Sequence, residues 1–152
     1  MGGNCYKDRQ VKKFLQSWTA PIFMALVMAF ILFGADKLGR FEGSRLPAVS
    51  DVIVNVNEGP TDYQSILDGT FNRVRVGCEF SRIEWRLAKP GGGSVALDFE
   101  FLEPSQVRSA GPNDFGPWLI HADALQIANS VYADVYHDCH IGWLTVTRFY
   151  PQ

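Results

Sequence analysis

The sequence holds no internal repeat, no low-complexity tract and no Gly-x-Ser-x-Gly elbow. The missing elbow removes the nucleophile turn of the α/β-hydrolases. The run Gly91-Gly92-Gly93-Ser94 lacks the following helix and lysine of a phosphate loop, so it reads as a flexible turn. Sustained heptads are missing, which excludes a long coiled coil. Charge of one sign is scarce, with a formal net charge of −2 over 152 residues. That average hides an asymmetry. Residues 1–17 carry Lys7, Arg9, Lys12 and Lys13 against Asp8, a net of +3, and the other ten basic and fifteen acidic side chains leave the remainder at −5. An acidic body has no electrostatic footprint for nucleic acid. What is plentiful is apolar surface: 47% of residues are hydrophobic and 20% charged, a balance that fits a folded chain and argues against disorder.

Much of that apolar surface sits in one run. From Trp18 to Ala35 the chain reads WTAPIFMALVMAFILFGA, without a charge. About 18–20 such residues span a bilayer core. The run is apolar on every face, unlike a soluble amphipathic helix. Ser17 suits an N-cap, Pro21 falls near the first turn, and Trp18 stands where an interfacial aromatic belongs. The basic residues before the run outweigh Lys37, Arg40 and Arg45 after it, which are mixed with Asp36 and Glu42. The positive-inside rule therefore predicts a cytoplasmic N-terminus and a translocated body. A cleaved signal peptide fits less well, because Phe33-Gly34-Ala35 is a poor cleavage site and the run is long. Tyr6 breaks the myristoylation pattern begun by Met1-Gly2, and Cys5 precedes the apolar run, unlike a lipoprotein cysteine. The expected organisation is a basic cytoplasmic tail (1–17), a transmembrane helix (18–35), a Gly/Pro-bearing linker (36–50) and an extracytoplasmic domain (51–152).

Roughly 100 residues suffice for one modest core. Val52 to Val56 is β-branched and ends at the turn signal Glu58-Gly59-Pro60, which predicts a strand. Thr61 to Leu67 reads as one helical turn. Val74, Val76, Cys78 and Phe80 alternate with Arg73, Arg75 and Glu79, predicting a half-buried strand with Cys78 inward. Ile83, Trp85 and Leu87 take the opposite parity, which requires a turn or bulge at Ser81-Arg82. Val95, Leu97, Phe99 and Phe101 alternate again, with Asp98 and Glu100 on a solvated face. Residues 104–117 read as a long surface loop, and Trp118 to Ile120 as a short strand. Ala122 to Ser130 has helical spacing, Val131 to Cys139 strand alternation, and Leu144 to Tyr150 a last strand closed by Pro151. About six short strands and at most one short helix predict an all-β fold, mainly antiparallel, as a small sandwich or a partly open barrel. Trp85, Trp118 and Trp143 are the expected core aromatics.

Cys78 and Cys139 are the two cysteines of this domain, both on inward parity, and in an exported β-domain they predict a disulfide. The order Cys78, Trp85, Cys139 echoes an immunoglobulin domain. However, Trp85 follows Cys78 too closely, and His137 stands where that fold has its tyrosine. His137, Cys139 and His140, with His121, carry metal-ligand chemistry, so a zinc, copper or redox site is an alternative expectation. Surface or turn histidines are the competing reading, since a disulfide consumes Cys139 and strand neighbours face opposite ways. No catalytic constellation emerges, and no cofactor is expected.

Phe115-Gly116-Pro117-Trp118, the stretch from Val131 to His140 ending in Asp-Cys-His, Trp143, and Thr147 to Pro151 resemble small uncharacterised membrane proteins of bacteriophages and prophages. The resemblance covers roughly residues 71–151. It implies a protein placed in a host's inner membrane, in a setting such as lysis or exclusion of competing phage, and brings no activity to any residue. The expected function is a non-enzymatic binding or scaffolding domain. It would be held at the envelope by its anchor, with the lipid bilayer and another envelope or membrane protein as partners. Phe115 and Trp118, in or beside a Gly/Pro-rich loop, are the expected contact residues.

Overall fold

A computed structural model of the chain describes residues 19–103 and 109–151. The basic tail, Cys5, Trp18 and the Pro104 end of the expected loop lie outside the described residues. The first element is one continuous helix, α1 (Thr19–Arg45), of 27 residues with a mean hydropathy of 1.9 in its most apolar window. None of that window is buried inside the fold. At 1.5 Å per residue such a helix is about 40 Å long, about 10 Å more than a bilayer core needs. The ladder widens to a π-turn over Phe30–Gly34. A side chain at Gly34 would meet the Phe30 ring at 2.8 Å.

Eight strands follow: β1 (Val49–Glu58), β2 (Ser65–Arg73), β3 (Glu79–Ala88), β4 (Ser94–Ala96), β5 (Phe99–Phe101), β6 (Gly111–Ile120), β7 (Val131–Asp138) and β8 (Thr145–Tyr150). A short helix, α2 (Ala124–Ser130), precedes β7. It starts at a capping box in which Asp123 and Gln126 satisfy each other's backbone N–H groups. The strands form two antiparallel sheets, β1-β2-β6-β5 and β4-β3-β7-β8. The fold is therefore an all-β domain preceded by one long apolar helix. Leu67, Phe115 and Ile120 from the first sheet pack with Ile83, Trp85, Ala133, Val135 and Phe149 from the second. Trp85 and Phe149 meet Trp118 and Phe115 across the sandwich, with ring centres 6.3 and 5.1 Å apart. Large aromatics such as these bury much apolar area in few residues.

Several boundaries differ from expectation. The supposed linker is helix through Arg45, and β1 begins at Val49. Its glycines and charges are packing and pairing groups, described below. Ser65 to Leu67 belongs to β2 rather than to a helical turn. The alternation over 71–80 is not one strand, because 74–78 is a crossover between β2 and β3. β2 ends at Arg73, Val74 and Val76 are exposed, and only Cys78 turns inward as the chain crosses to the other sheet. Alternation alone cannot distinguish a strand from such a crossover. The stretch 95–101 likewise divides, β4 pairing with β3 in one sheet and β5 with β6 in the other. The expected bulge is present, with the β3–β7 register shifting between Phe80 and Arg82.

Candidate functional site

The chemistry of the domain concentrates where α1 meets β8. The sequence Gly39-Arg40-Phe41-Glu42-Gly43 places two glycines one helical turn apart. β8 is the outermost strand of its sheet, and the carbonyls of Leu144, just before it, and of Val146, within it, are turned towards Gly39 and Gly43 respectively. A Cβ at either glycine would overlap the carbonyl oxygen. Glycine instead points a Cα hydrogen there, the geometry of a weak Cα–H···O contact. The helix thus covers an edge strand that would otherwise be open to pairing.

Glu42 fixes this contact. Its carboxylate accepts from Arg75 Nη1 at 2.7 Å, His140 Nε2 at 2.6 Å, Trp143 Nε1 at 2.9 Å and Thr145 Oγ1 at 3.0 Å. An ionised carboxylate only accepts, so His140 must carry its proton on Nε2. Glu42 lies beyond the apolar run, which ends at Ala35. Burial would push its pKa up, but the bonds from His140, Trp143, Arg75 and Thr145 hold it at about 2.

One residue pair away, Arg40 reaches Asp36 at 3.0 Å and the buried Asp134 at 2.7 Å, and contacts the Tyr136 hydroxyl at 3.3 Å. Arg148 holds the other oxygen of Asp134 at 2.9 Å. The same outer face carries Glu84 between Arg82 and Arg86, each at 2.8 Å, and the Arg82 guanidinium lies over the Tyr136 ring. An open groove of about 450 Å³ runs along this seam, lined by Arg40, Ser44, Pro47, Asp134, Thr147 and Arg148. Its charges are largely engaged with one another. The arrangement therefore holds two elements in register.

Comparison with protein-family models, curated proteins and solved structures finds no match.

The residues expected to carry function are dispersed. Cys78 and Cys139 form the expected disulfide, with Cα atoms 4.3 Å apart. His140 is bound to Glu42, while His121 is exposed beside Gln64. His137 is buried next to the Phe80 ring, and burial, with Arg73 and Arg75 nearby, lowers its pKa to about 4. The four residues of the metal alternative are therefore not brought together. Among the described residues, no group of three or more His, Cys, Asp or Glu is arranged to hold a metal. Phe115 and Trp118 are not a contact surface. Gly111–Ile120 is strand rather than loop, Phe115 is buried, and Trp118 packs against the core. Trp143, expected in the core, instead serves Glu42. The residues that matter most at the seam, Gly39, Arg40, Glu42 and Gly43, are not among those the sequence marks as a site. Their signal was a small-xxx-small spacing directly after an apolar helix, a pattern that lets backbones approach closely.

Proposed function

We propose that this chain is a single-pass anchor protein of a bacterial inner membrane, with its tail in the cytoplasm and its β-sandwich in the periplasm. Its work is non-enzymatic: it holds a binding surface at a set attitude to the bilayer for another envelope protein. The observation that carries this reading is the Glu42 cluster. A domain that only has to remain near a membrane needs no more than a flexible linker. Here the apolar helix runs without interruption into the domain, and four side chains from it converge on Glu42. A seam of this kind transmits orientation, which suits a scaffold. The Cys78–Cys139 bridge supports an oxidising compartment. Tyr63 and Ile53, both exposed on or beside β1, take the place of Phe115 and Trp118 as contact residues.

Thiol labelling in intact cells tests the topology. A membrane-impermeant maleimide should reach Cys78 and Cys139 only after reduction, and Cys5 only after lysis. Labelling of all three that needs lysis but no reductant would overturn both the orientation and the oxidised state. For the partner, a photo-crosslinking amino acid at Tyr63 should give one discrete adduct in cells. The same group at Phe115, buried inside the fold, should give none. Equal adducts from both positions would sink the assignment of that face.

A further inference from the structure

We infer that the disulfide-bonded end of the sandwich is seated in the bilayer interface, with Ile141, Val76 and Phe80 inserted among the lipid headgroups and upper acyl chains. The inference rests on the proposal that α1 spans a membrane, and the partner it names is that same bilayer.

Strand register assembles this end. Glu79 pairs with Asp138, Phe80 with His137, and His137 with Thr145. The start of β3, the end of β7 and the start of β8 therefore lie together. The Cys78–Cys139 bridge ties the two loops there, 74–78 and 139–144. Apolar side chains are open at this end: Ile141 is 103% exposed, Val76 73% and Phe80 56%. Single exposed apolar residues are ordinary. Three at one end of a sheet, two on the bonded loops and Phe80 at the start of β3, make a patch, which marks an interaction surface.

The helix fixes where that end lies. Gly39 faces Leu144 and Gly43 faces Val146, so α1 and β8 run in the same direction. Going back from Gly39 to Ala35, the helix descends about 6 Å. Going back from Leu144, the chain passes Trp143 and turns at Ile141-Gly142. The 139–143 turn thus lies on the side of Gly39 towards Asp36 and the apolar run of α1. Exposed Glu79 and Asp138 share this end with Arg73 and Arg75. The attraction is therefore apolar and does not depend on anionic lipid.

Depth-dependent quenching in the full chain tests this. A fluorescent amino acid replaces Ile141, Phe33 or Val95, one at a time. Phe33 lies in the apolar run, and Val95 pairs with Leu87 towards the opposite end of the sheet. Each protein is reconstituted in phosphatidylethanolamine vesicles, with or without phosphatidylglycerol, carrying a nitroxide high on the acyl chain. Val76 is the second reporter if the probe at Ile141 disturbs folding. The expected result is loss of fluorescence at Phe33 and Ile141 and none at Val95, in both lipid mixtures. Quenching at Phe33 with none at Ile141 or Val76 overturns the inference while α1 still spans. A blue shift at Ile141 without quenching also overturns it, because the patch is then covered by a second copy or another protein. Quenching at Val95 as well means that the domain lies on its side, which again defeats it. No quenching at Phe33 removes the spanning helix, and the inference falls with it.

Discussion

Gly43 lies so close to the carbonyl of Val146 that no side chain fits between helix and strand. The contact is backbone to backbone, so neither partner can move aside by changing rotamer. Gly43→Ala should therefore destabilise the domain by about 1–3 kcal/mol, the range for overpacking a tight contact. Helix propensity alone argues the other way, favouring alanine by about 1 kcal/mol. Thermal unfolding in detergent separates the two: an unchanged or raised midpoint would mean that the seam is loose. Gly39→Ala, facing Leu144, should behave alike.

Glu42→Ala should be among the most damaging polar substitutions. It leaves Arg75, His140, Trp143 and Thr145 with donors aimed at an empty position. Breaking a largely buried, hydrogen-bonded charge network of this kind costs about 3–5 kcal/mol. Thr145→Val, which removes one donor of the four, should lose only about 1 kcal/mol. Denaturant titration of both variants checks the ranking. If the two midpoints coincide, Glu42 is not the hub. Limited trypsin digestion should also cut Glu42→Ala faster at Arg40 and Arg45, which the docked helix otherwise protects.

The all-β class, the apolar helix and the bulge near Ser81 were legible because each rests on a short-range pattern, and the disulfide because Cys78 and Cys139 are the two cysteines after the apolar run. Val131 to Asp138 alternates because β7 is central in its sheet, and Asp123 announces α2 by its capping box. What misled was alternation without tertiary context. Val74 and Val76 have the right parity for a strand but occupy a crossover, and Val95 to Phe101 crosses between sheets. The seam was hidden for a different reason. Arg40 and Glu42 read as solvated linker charges because their partners Asp134, Arg75 and His140 lie far along the chain. A long-range ion pair leaves no local signature. Phe115 was misread because Gly111, Pro112, Gly116 and Pro117 suggest a loop, whereas they sit within an irregular strand whose register with β2 shifts near Gly69.

Removing the disulfide should weaken the domain severely. The bridge closes a loop with a sequence separation of 61 residues. In the chain-entropy account such a loop is worth about 4 kcal/mol. The paired variant Cys78→Ser with Cys139→Ser, compared with wild type under oxidising and reducing conditions, should match the reduced wild type. A variant as stable as the oxidised protein would show that the bridge is not a main support of the fold.

Acidification should unfold the domain in two stages, and His137 sets the first. Its folded pKa is lowered to about 4, chiefly by burial and further by Arg73 and Arg75. Its unfolded value is about 6.5. Between these values the unfolded chain binds more protons than the folded one, so stability rises with pH across that window and is lost as pH falls through it. A gap of this size corresponds to about 3 kcal/mol when fully developed. Glu42 acts lower: with a folded pKa of about 2, its contribution is present above the ordinary carboxylate range and disappears as pH falls from about 4.5 towards 2. Urea midpoints measured from pH 7 to 4.5 should therefore fall in the wild type and stay nearly flat in His137→Leu. An equal slope in both proteins would assign the acid sensitivity to another group.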